Sequence, residues 1–177
     1  VRLQVQSGAV SWDIVEFGTA SCVQGAAEGL FEPLDYDVIN VEGLLPSSYS
    51  ENWLGVMYYS TVLAWNKDKY GDNPPQSWAD FWDVEKFPGS RALWNSAETM
   101  LELALMADGV PPDQLYPIDV DRAFAKMEEI RPNIDVWWTS GAQSAQLIKD
   151  GEVDMIALWV SRVIGAINDG ANADYTF

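Results

Sequence analysis

The sequence contains no histidine and only one cysteine, Cys22. Without an imidazole there is no Ser-His-Asp or Cys-His nucleophile system, no histidine general base and no histidine zinc ligand. A lone thiol cannot close an intramolecular disulfide, and it says little about redox compartment. Basic side chains are scarce as well: 10 Lys+Arg stand against 27 Asp+Glu, a net charge of −17. That field repels phosphate backbones and anionic headgroups, which argues against nucleic acid and membrane surfaces as partners. Solubility alone accounts for an acidic surface, although such a surface also attracts cationic solutes. No apolar run reaches transmembrane length, and no basic stretch followed by an apolar core marks a signal peptide. The first residues read as the end of a helix, so the chain is expected to enter a domain part-way at Val1.

What is present suits a soluble globular protein. With 177 residues, 48% of them hydrophobic, the chain can bury a core for one domain, or for one domain and part of another. Short apolar runs alternate with helical spacing, which predicts an α/β fold with mostly parallel strands. Residues 12–17 (WDIVEF) read as a strand, followed by Gly18-Thr19-Ala20-Ser21 and a short helix ending near Gly29. Residues 55–66 form a β-rich run too long for an ordinary strand and suited to a crossing between domains. Ser77-Trp78-Ala79-Asp80 is a capping box. Residues 91–94 predict a strand and 95–108 a buried helix. The stripe Val120, Ala123, Phe124, Met127, Ile130 predicts an amphipathic helix stopped by Pro132. Then follow a strand over 134–138, a helix over 140–150, a buried strand over 153–159 and a helix over 161–168 with Gly170 as its stop. This divides the chain into a partial first domain with a crossing strand (1–63), a second α/β domain (64–170) and the start of a return segment (171–177).

Four strand-to-helix junctions share one design: Gly18-Thr19, Asn95-Ser96-Ala97-Glu98, Thr139-Ser140-Gly141-Ala142-Gln143 and Val160-Ser161. Asn95 with Glu98, and Ser140 with Gln143, have N-cap and N3 spacing, and capping explains each junction taken singly. Their common placement says more. In open α/β sheets ligands bind beyond the carboxyl ends of the strands, where helix starts offer free N–H groups. Trp94, Trp137, Trp138 and Trp159 fall at the same edge, with Tyr58 and Tyr59 in the crossing segment. Alternation lets only one of Trp137 and Trp138 face a given side. Core packing accounts for any single tryptophan; several at one edge point to an aromatic box for a ligand. The candidate ligand set is Thr19, Tyr59, Asn95, Ser96, Thr99, Trp138, Ser140, Trp159 and Arg162. No cofactor or metal is expected.

Trp12-Asp13-Ile14-Val15, Glu28-Gly29-Leu30 leading to Pro33-Leu34-Asp35, Ser77-Trp78-Ala79-Asp80-Phe81-Trp82, Arg131-Pro132-Asn133-Ile134, and Gly151-Glu152-Val153 leading to Ala157-Leu158-Trp159 carry a resemblance. In their order and spacing the chain resembles periplasmic solute-binding proteins of the spermidine/putrescine ABC importer type. The resemblance implies a type II-like periplasmic-binding-protein fold, with a mainly parallel sheet flanked by helices and ligand held in an interdomain cleft. The second domain would be nearly complete and the first partial. It further implies a periplasmic or tethered extracytoplasmic location, an importer permease as partner, and no enzymatic activity.

This sequence departs from that family where its amine-binding members place acids. Asn95, Ser96 and Thr99 stand after the 91–94 strand, and Arg162 stands three residues past Trp159. A guanidinium suits a carboxylate and opposes an ammonium, which favours an anionic or zwitterionic ligand over a polyamine, unless Arg162 points outward and pairs with a surface acid such as Asp169. The other readings are a carboxylate hydrolase, whose candidates Glu98, Glu102 and Asp154 lack a paired signature, and a truncated chain that binds nothing by itself. Residues 1–60 are expected to expose apolar surface that a second copy covers, unless the segment is poorly ordered.

Overall fold

The computed structural model describes residues 1–177, which divide into two compact units, Val1–Tyr58 and Tyr59–Phe177. The first unit holds α1 (Arg2–Ser7) and α2 (Thr19–Ala27), a 3₁₀ turn at Pro46–Ser48 and one isolated bridge, Tyr49 to Leu54. Gly8 closes α1 with φ 67°. Arg2 forks onto Glu28 at 2.7–2.9 Å; that hydrogen bonding holds the Glu28 carboxyl below its usual range. Residues 12–17 are not a strand. Their alternation is strand-like, but a strand exists only by pairing, and this unit has no ladder for them to join. Ile14 is 91% exposed as a result. Gly25 is the one buried residue of the unit, because its missing side chain admits the Phe31 ring.

The second unit runs β1 (Thr61–Asn66), α3 (Lys67–Tyr70), α4 (Trp78–Trp82), β2 (Arg91–Trp94), α5 (Met100–Ala107), α6 (Val120–Ile130), β3 (Val136–Trp138), α7 (Gly141–Lys149), β4 (Met155–Trp159), α8 (Val160–Asn168) and β5 (Ala173–Thr176). The sheet order is β3-β2-β4-β1-β5. β2 lies parallel to β3 and β4, while β1 runs antiparallel to both β4 and β5. Four strands share a direction, as expected of a mainly parallel sheet, and β1, inserted between β4 and β5, opposes them and makes the sheet mixed. Only residues 61–66 of the predicted long run enter a ladder; Val56, Met57 and Tyr58 are exposed.

Strand alternation sorts the core into two layers. Val62, Ala64, Ala92, Trp138, Ile156 and Leu158 face α7 and α8 through Leu147, Ile148, Val163 and Ala166. On the other face, Leu63, Trp65, Leu93, Met155 and Ala157 pack on Phe81 and Trp82 of α4, Met100, Leu103 and Ala104 of α5, and Ile130 of α6. The helix predicted from residue 95 starts only at Met100. Thr99 sits at φ 69°, ψ −39°, and a β-branched residue in that region breaks the helical path before it.

Candidate functional site

The carboxyl ends of β2, β3 and β4 carry Trp94, Trp138 and Trp159. Parallel register sets Trp94 beside Trp138, and their rings stack at 5.6 Å and 11°. Trp159 stands edge-on to both, with centroids 5.5 Å away in each case. β1 is antiparallel to β4 with Thr61 opposite Trp159. This brings Tyr59, two residues earlier, into edge contact with Trp159 at 6.3 Å. Trp138 is 0% exposed and its indole donates to the Ala157 carbonyl at 3.0 Å, so it supports the cluster from behind. The Trp159 indole N–H is also buried, yet it has no acceptor. An indole only donates, and leaving a buried donor unmet costs about 1–3 kcal/mol. Burial pushes the half-exposed Tyr59 hydroxyl above its ordinary pKa, and the charge of Glu98 adds to the rise.

Trp137 points to the opposite layer. With Asn95, Ser96, Met100, Phe124 and Met127 it lines an open groove of about 560 Å³. Asn95 and Ser96, from the candidate ligand set, line this groove, and the Asn95 N–H donates to the Trp138 carbonyl at 2.9 Å.

The junctions differ in how they are capped. At α7 the expected box forms: Ser140 Oγ accepts the Gln143 N–H at 3.3 Å, while Gln143 Oε1 accepts the Thr139 N–H at 2.9 Å. The Asn95–Glu98 box does not form, since Thr99 ends the turn before α5 begins. Ser96 Oγ accepts the Glu98 N–H at 3.2 Å, and the exposed Glu98 carboxylate is left without a hydrogen bond. α8 starts with Trp159 at its N-cap and no side-chain cap.

Arg162 lies in that uncapped first turn. It is exposed and neither a hydrogen bond nor an ion pair engages it. Asp169, the acid within reach of its helix, is held by Lys149 at 3.0 Å. The Arg162 guanidinium instead leans over the start of α7, where its Nε lies 2.7 Å from the place a Cβ on Gly141 would occupy. The starts of α7 and α8 and an unpaired guanidinium thus converge. Each is electropositive, so together they favour an anion.

The acids that would serve a hydrolase do not pair. Asp154 Oδ2 accepts from the Ser90 N–H at 2.8 Å and the Ser90 hydroxyl at 3.1 Å, and Glu102 accepts from Tyr116 at 2.7 Å. Thr19, the first residue of α2, belongs to the first unit. The candidate ligand set left out Trp94 and Gly141. Trp94 had been placed at the same strand-end edge as Trp138, whereas a glycine in a turn gives no sign of a close packing contact.

No helix is long and apolar enough to cross a membrane. A gamma-aminobutyric acid-binding protein of Pseudomonas aeruginosa is 41% identical over 176 residues, covering 96% of this chain and 49% of its own length. A crystal structure of a periplasmic binding protein from A. tumefaciens B6 in complex with glucopine shares 52% identity at TM-score 0.92, over 99% of this chain and 56% of that one. The likeness to a spermidine/putrescine-binding periplasmic protein of Haemophilus influenzae is more distant, at 24% identity over 99% of this chain and 50% of that protein. The polyamine type is therefore narrower than the relationship supports. The chain spans about half the length of the curated relatives it matches. These relatives are solute-binding proteins, not enzymes, and their type II α/β fold is the one seen in this chain. The match to the family described as bacterial extracellular solute-binding protein extends over residues 1–177, and the chain belongs to that family.

Proposed function

We propose that this chain is part of the extracytoplasmic, periplasmic solute-binding component of an ABC importer, with the importer permease as its partner. Its solute is a small zwitterion or anion of the gamma-aminobutyric acid kind, held by its carboxylate at Arg162. The observation that carries this reading is the unpaired Arg162 guanidinium at the starts of α7 and α8, in a chain of net charge −17. Acids outnumber bases almost three to one, yet no acid engages Arg162, so its guanidinium stays free to take a carboxylate. Trp159 supplies an aromatic face and an unmet donor beside it, and Tyr59 extends that face. For the amine end, the charge of Glu98 reaches Tyr59, and its carboxylate has no other engagement. The similarity to the gamma-aminobutyric acid-binding relative supports the same pairing of charges.

Calorimetry on the chain with gamma-aminobutyric acid, putrescine and butyrate tests the reading. The amino acid is expected to bind more tightly than putrescine, and Arg162→Ala is expected to weaken it about ten- to hundredfold. Putrescine binding that equals or exceeds it, with Arg162→Ala harmless, would overturn the anion site.

A further inference from the structure

Resting on the reading of Arg162 as the carboxylate's partner, we infer that Gly141 is the positioning residue that sets this arginine, with Trp159, at the mouth of α7. Gly141 is the first residue of α7 and is buried. Its φ lies outside the left-handed region, so the backbone does not require glycine there. Helix energetics favour alanine over glycine at such a position. What glycine supplies is space. A Cβ would lie 2.6 and 2.9 Å from two carbons of the Trp159 ring and 2.7 Å from Arg162 Nε, all inside van der Waals contact.

The two neighbours differ in their freedom to yield. The Trp159 indole is wedged edge-on against Trp94 and Trp138 at 5.5 Å, with Tyr59 at 6.3 Å beside it. Packed aromatic rings cannot shift without moving the whole cluster. Arg162 stands on the exposed first turn of α8, and no other group anchors it. A methyl at position 141 therefore expels the guanidinium, and because its other contacts are Trp159 ring carbons at 2.6 and 2.9 Å, the ring or the start of α7 must also give way. Gly141 offers no side chain to a solute; it acts through Arg162, and the selectivity it controls is for the carboxylate.

A double-mutant cycle on the 177-residue chain tests this, with Gly141→Ala, Arg162→Ala and the pair together. NMR follows the Arg162 Nε–H and Trp159 indole N–H signals, and calorimetry measures gamma-aminobutyric acid beside butylamine, which lacks the carboxylate. Gly141→Ala is expected to move the Arg162 signal, to shift the Trp159 indole signal as well, and to lower the thermal midpoint. It should weaken gamma-aminobutyric acid about tenfold, weaken butylamine less, and have a smaller effect once Arg162 is gone. In an Arg162→Lys background, which carries no planar group at that point, the effect of Gly141→Ala should shrink. An equal loss with and without Arg162, or an unmoved Arg162 signal, would overturn the inference. If the unsubstituted chain binds no gamma-aminobutyric acid, or Arg162→Ala leaves its affinity intact, the carboxylate reading falls; the Arg162 signal still decides whether Gly141 places the guanidinium.

Discussion

Arg91 and Arg162 show how differently two arginines are used in one unit. Arg91 is 1% exposed and donates to the carbonyls of Phe81 at 2.9 Å, Gly89 at 2.6 Å and Phe87. A planar fork meets three carbonyls from three separate nitrogens, whereas an ammonium offers its three donors from a single point. Arg91→Met is expected to strand those acceptors and to cost roughly 3 kcal/mol or more, since each unmet buried group costs about 1–3 kcal/mol. A lower urea midpoint at unchanged m-value would confirm it. Asp154 locks the strand it precedes in the same manner: its carboxylate accepts from Ser90, and its own N–H donates to Ser90 Oγ at 3.0 Å. Asp154→Ala should cost about 1–3 kcal/mol by the same reasoning. Neither role was legible beforehand. Arg91 read as the first residue of a strand and Asp154 as an unpaired acid within the 153–159 strand, because the sequence does not say which carbonyls a turn leaves exposed.

At the scale of elements, local codes were readable wherever they close on themselves. Ser77 Oγ accepts the Asp80 N–H at 3.1 Å and Asp80 accepts the Gln76 N–H at 2.9 Å, as the capping-box spacing predicted. Burial alone would raise the Asp80 carboxyl, but the Gln76 N–H, Lys86 and Ser77 outweigh it and hold it below the usual aspartate range. A carboxyl with a depressed folded pKa contributes stability that is complete above the unfolded value and is lost as pH falls through the folded one. Acid unfolding should therefore steepen below about pH 4, and Asp80→Asn should flatten that limb of the stability-versus-pH curve. Burial raises Tyr70 to about 12, with Arg91 opposing and Asp154 reinforcing the shift. Its contribution is intact below the unfolded value near 10 and is lost as pH climbs towards 12, so Tyr70→Phe should resist alkali better. The code failed at residues 95–99. Apolar spacing extended a helix through them, and one left-handed residue, Thr99, overruled it.

For the molecule as a whole, the two units are built unequally. Residues 1–58 bury only Gly25 and leave Leu3, Trp12, Ile14 and Val38 exposed, whereas residues 59–177 enclose both core layers. Amides of the first unit should exchange with solvent far faster than those of β1, β2 and β4, because local opening is easiest where little apolar surface is buried. Hydrogen exchange with uniform protection across both units would contradict this. Composition and local spacing had set the charge, the absence of imidazole chemistry and the alternation of strand and helix, since these depend on residue type and near-neighbour order. The strand ends bearing Trp94, Trp138 and Trp159 were legible for the same reason. The direction of β1 was not, nor the stacking of those rings, nor the approach of Arg162 to Gly141. Each of these depends on segments far apart in the chain meeting at a set distance, and that distance is decided only when both core layers close around the sheet.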